Sequence, residues 1–89
     1  MKKEFEQFLI SKGYKEYTPS NHPSTVYDYS KRVEQICDME NTDWHGLAAK
    51  ITSILPEYEE GGSKAHLGAK SHNAVRSALR CFKQFVETR

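Results

Sequence analysis

Asn73, Arg76, Arg80 and Lys83 recur at steps of three and four residues near the end of this chain. That spacing gathers them on one side of a helix. Lys70, Ser71 and His72 precede them, at a helix start where exposed backbone N–H groups favour an anion. Cations, a side-chain amide and amide donors on one surface are the chemistry of phosphate recognition. Asn73 or Arg76 could also reach a base edge, since Asn pairs with adenine and Arg with guanine. A solvated helix face can have the same composition, so the stripe alone does not decide the matter.

Other residue types that could do chemistry are present without the spacing it needs. His22, His45, His66 and His72 are scattered, and no Cys or His pair has zinc-knuckle separation. Glu57, Glu59 and Glu60 form an acidic run, but a cation needs oxygen ligands converging from several directions. Gly61-Gly62 lacks the lysine and hydroxyl of a phosphate-binding loop. Ser71 and His72 are adjacent, so on a helix they diverge. No catalytic residue, metal ligand or cofactor site is expected. Cys37 and Cys81 lie in helical runs with no disulfide framework around them, and read as buried free thiols.

The elements that must carry the basic stripe follow from apolar periodicity. Eighty-nine residues make one small domain. Phe5, Phe8 and Leu9 predict a first helix over 2–12, closed by Gly13. Pro19 and Pro23 keep the next segment extended. Ser24 or Thr25 caps a second helix over 25–39, with Asp28 completing a weak capping box. Its apolar stripe is Val26, Tyr29, Val33, Ile36 and Cys37. A third helix over 43–60, capped at Asn41 or Thr42, carries Leu47, Ile51, Ile54, Leu55 and Tyr58, with a break expected near Pro56. Residues 61–70 read as a flexible loop. The last helix, over 71–88 with Ser71 as its N-cap, has a broad apolar arc that suits the centre of a core. The expected fold is all-α, a compact bundle of four to five helices. No signal peptide or spanning helix is apparent, which points to a cytoplasmic protein with no membrane partner.

Charge is unevenly placed along these elements. Residues 1–33 carry net +2, residues 34–60 net −6, and residues 64–89 net +5, within an overall +1. The chain therefore reads as acidic in the middle and basic at the end.

Three stretches carry a family resemblance: "FEQFLISKGY", "STVYDYSKRVEQI" and "KSHNAVRSALRCFKQFVE". Together they resemble the N-terminal core-binding, SAM-like domain of tyrosine recombinases, the phage-integrase class. The resemblance implies a helical module that forms half of a clamp on duplex DNA and serves DNA integration or recombination. It implies that the second and last helices approach the groove. By position, Ser24, Thr25, Tyr27 and Lys31 would lie near DNA on one helix. Lys70, Ser71, Asn73, Arg76 and Arg80 would do so on the other, beside Lys83 of the same basic stripe. The family's catalytic residues are absent and no His-x-x-Arg occurs, so a separate catalytic domain or other protein would be the partner. The acidic third helix would then face away from the phosphates. A competing reading is a protein–protein or self-association module. Its acidic and basic faces would pair between copies, with Trp44, Tyr14 and Tyr17 as contact anchors.

Overall fold

The computed structural model describes residues 1–89 and contains five helices: α1 (Lys2–Ser11), α2 (Thr25–Met39), α3 (Trp44–Tyr58), α4 (Ala65–Gly68) and α5 (Lys70–Glu87). There is no sheet; one isolated antiparallel bridge joins Tyr17 to Pro23. The fold is an all-α bundle.

α1 buries Phe5 and Leu9 and ends where Gly13 takes a φ of 95°. The Gly13 and Tyr14 N–H groups bond back to the Ile10 and Leu9 carbonyls. That pair of bonds needs a left-handed residue, and glycine adopts one without a Cβ clash. The following segment is pinned rather than merely extended. Thr18 N–H donates to His22 O at 2.8 Å, Ser24 N–H to Glu16 O at 2.8 Å, and Val26 N–H to Lys15 O at 3.1 Å.

α2 buries Val26, Ser30, Val33, Ile36 and Cys37. Ser24 stands at its N-cap, but neither side-chain capping bond expected there forms. Loop carbonyls do part of that work instead, as the Val26–Lys15 bond shows. α3 is capped by Asp43 rather than by Asn41 or Thr42. The Asp43 carboxylate accepts from Gly46 N–H at 2.8 Å.

Pro56 does not break α3. It sits in the last turn, and both it and Thr52, whose carbonyl loses a donor, are exposed to water. The helix then stops at Tyr58, short of Gly61-Gly62.

The segment expected as a loop holds the four-residue α4. Gly68 lets it approach α3 closely, since a Cβ there would collide with the Tyr58 carbonyl. Ser71 is not an N-cap. Ser71, His72 and Asn73 take φ of 54°, 57° and 68°, making a left-handed turn between α4 and the regular part of α5.

α5 packs against every other helix. Its Phe82 and Phe85 meet Phe5 of α1, and Phe82 also meets Trp44 of α3 edge-on. Both cysteines are free and buried. Burial pushes the Cys37 thiol up to about 11, which keeps it protonated at neutral pH. No helix is long and apolar enough to cross a membrane.

Candidate nucleic-acid interface

Residues 73, 76, 80 and 83 do not form an open basic face. Arg76 is buried, with 5 % of its surface exposed. Its side chain runs back toward the start of the helix, as long helical side chains do. There Nε donates to Tyr58 O at 3.1 Å, one terminal nitrogen to Ala65 O at 3.1 Å, and the other to Asn73 Oδ1 at 3.3 Å. Three donors of one guanidinium thus tie together the end of α3, the start of α4 and the left-handed turn. Glu59 and Glu60 lie 3.7 and 3.8 Å from the same group and balance its charge. Arg76 is a fastener inside the fold and cannot reach a base edge from there.

Arg80 is also committed. Its guanidinium forks onto Glu59 at 2.8 and 2.6 Å, and holds that carboxyl below the usual range. Lys83 lies 3.9 Å from Glu87. The acidic end of α3 and the basic face of α5 therefore neutralise one another within a single chain. Two of the cations that would supply the basic face of a pairing between copies, Arg76 and Arg80, are thereby engaged within one chain. Trp44 is half-buried between Phe5 and Phe82 and does not serve as an exposed anchor.

A second polar cluster closes the other side of α3. Glu40 accepts from Tyr58 OH at 2.8 Å and from Lys64 Nζ at 2.6 Å, and Glu57 stands 3.3 Å from the same ammonium. The Lys64 bond, helped by Tyr58 and opposed by burial, depresses the Glu40 pKa.

The remaining expected residues surround α2 and the α4–α5 corner. Lys31 and Lys70 are exposed and form no ion pair within 4.0 Å. Ser71 and Asn73 are exposed on the left-handed turn, with Asn73 Oδ1 occupied by Arg76. Ser24 and Thr25 are half-buried at the start of α2. Tyr27 is half-buried and donates to Glu16 at 3.1 Å; that bond pushes its hydroxyl up to about 12.

Two features of this surface escape a reading by spacing alone. Arg32, Gln35 and Met39 of α2 line a small groove with Leu67, Lys70 and Val75. Ser24 opens on a cleft with Lys15, Tyr17, Thr18 and Pro19. Of the residues on this face, Ser24, Lys31 and Lys70 are expected from the family resemblance, while Arg32, Gln35 and Met39 are not.

Ser24, Asp28, Arg32, Gln35 and Met39 follow one another at steps of three and four, so they form a single outward stripe on α2. Ser24 to Gln35 spans about 16 Å along the helix, roughly five base-pair steps of DNA. Asp28 is its one acid, and it is paired with Arg32 at 3.0 Å. No group of three or more His, Cys, Asp or Glu side chains is arranged to hold a metal ion. Compared with protein-family models, curated proteins and solved structures, the chain has no match.

Proposed function

We propose that this domain is a cytoplasmic DNA-binding module that lays α2 and the α4–α5 corner along duplex DNA. The reading remains that of a core-binding domain like those of tyrosine recombinases, with no catalysis of its own and a separate catalytic domain or protein as partner. The observation that carries it is the outward stripe of α2, flanked by unpaired Lys31, with Lys15 beyond one end and Lys70 beside the other. The last helix takes part only through Lys70, Ser71 and Asn73. Arg76, Arg80 and Lys83 take no part, because those side chains serve α3, α4 and α5 themselves.

Three free cations give weak binding with a modest salt response. A slope of log K against log salt of about −3 is expected from three displaced phosphate counterions. Fluorescence anisotropy of a labelled duplex, titrated at several salt concentrations, measures that slope. A Lys31→Gln/Lys70→Gln variant should bring it to about −1, while Arg80→Gln leaves it unchanged. Absence of binding at low salt, or loss caused by Arg80→Gln and not by the lysine pair, would overturn the assignment.

A further inference from the structure

The cleft of Lys15, Tyr17, Thr18, Pro19 and Ser24 lies at the N-terminal end of the α2 stripe. It measures about 360 Å³, within the ~300–1,000 Å³ of ligand-sized clefts. Tyr17 is 51 % exposed, the most exposed ring among the large hydrophobic side chains. Tyr27 supports it from beneath, with ring centroids 5.6 Å apart and planes inclined at 54°. Tyr27 is itself held by its bond to Glu16.

The loop is braced on both sides of the cleft. The Tyr17–Pro23 bridge and the Thr18–His22 and Ser24–Glu16 hydrogen bonds fix the ring's backbone before any ligand arrives. The first turn of α2 does not make this an anion site, because Lys15 O already takes the Val26 N–H and Ser24 O takes those of Tyr27 and Asp28. What the cleft offers is a supported aromatic face, the Pro19 ring beside it, one ammonium and an uncommitted Ser24 hydroxyl. No carboxylate lines it.

A supported aromatic face beside a cation is the arrangement that takes a nucleobase with its phosphate. Bases inside a duplex have both faces covered by their neighbours, so only an unpaired nucleotide can stack there. We infer that this cleft binds an unpaired nucleotide, stacked on Tyr17 with its phosphate at Lys15. The module would thereby favour a duplex with a single-stranded end or gap over a fully paired one. This deepens the DNA-binding reading of α2 and rests on it.

The test compares a blunt duplex with the same duplex carrying a short single-stranded overhang, by anisotropy at fixed salt. The overhang should bind roughly ten-fold tighter, the effect of one stacked base. Tyr17→Ala should abolish that difference and leave blunt-duplex affinity unchanged, while Tyr17→Phe keeps both. Equal wild-type affinity for the two duplexes would overturn the base site and leave the DNA reading standing. A parallel loss on both duplexes in Tyr17→Ala would mean that the ring merely shapes the loop, which also overturns it. Binding to neither duplex would remove the base site together with the reading beneath it. Circular dichroism of each variant confirms that the helices are retained.

Discussion

The guanidinium of Arg80 and the carboxylate of Glu59 face each other as a two-pronged pair, joining α5 to the residue that follows α3. The pair is half-open to water, with the Arg80 side chain 54 % exposed. Such pairs contribute little because water screens them and two long side chains must be held still. Arg80→Ala should therefore lower stability by no more than about 1 kcal/mol in a urea titration.

Arg76 should behave quite differently. Its removal leaves the buried Tyr58 carbonyl without its side-chain donor, and leaves the Ala65 carbonyl with the Ala69 N–H alone. Arg76→Ala should cost about 2–4 kcal/mol. For a chain of this size that lowers the melting temperature by more than about 10 °C.

Acid sensitivity should trace partly to Glu40. Its carboxyl titrates below its ordinary value of 4.5 when folded, so between the two pKa values the unfolded chain binds the extra proton. The stabilisation is therefore present above the ordinary value and is lost as pH falls through the folded one. Glu59 acts in the same direction. Urea midpoints measured from about pH 5 down to pH 3 should fall less steeply in Glu40→Gln than in the wild type.

Ser30 is 1 % exposed, and its hydroxyl is buried without a hydrogen-bond partner. Burying an unpaired hydroxyl is unfavourable, whereas a methyl group is at home in that position. Ser30→Ala should leave stability unchanged or raise it by up to about 1 kcal/mol, read as a melting point a few degrees higher.

The turn Ser71–Asn73 places three non-glycine residues in the left-handed region, where an L side chain crowds the following carbonyl. His72 is exposed there, so its side chain offers little packing in return. His72→Gly should raise stability by about 0.5–1 kcal/mol, while His72→Val should lower it. Thermal melts of the two variants should move in opposite directions.

These particular residues show how far the sequence carries. Phe5 and Leu9, Val26 to Cys37, and Val75 to Phe85 recur with helical spacing, and each set is buried in the structure. Apolar periodicity is local and strong, so the long helices were legible. α4 was not, because four residues hold barely one period and their Ala-His-Leu-Gly composition resembles a loop.

The site was less legible for a different reason. Net charges of −6 and +5 along the chain do not reveal that the two regions meet. Arg76 fits the polar stripe by spacing, yet it directly follows buried Val75 and precedes buried Ala78 and Leu79. That crowding was the available sign that its side chain runs inward. Lys31 and Lys70 are exposed and have no acid within 4.0 Å, which charge counts along the chain do not disclose. Tyr17 reads from the sequence as a contact anchor for a protein partner; the loop bonds that hold it above Tyr27 are long-range and leave no local pattern.

Trp44 is the only tryptophan, and it touches Phe5 from α1 and Phe82 from α5 while belonging to α3. Nature has thus placed one optical reporter at the meeting point of three helices. Its emission responds when any of the three undocks, and stays silent when only α4 and the turn before α5 loosen. Amide hydrogen exchange would register both events, so the two signals together separate melting of the whole bundle from local opening of the corner that carries Lys70.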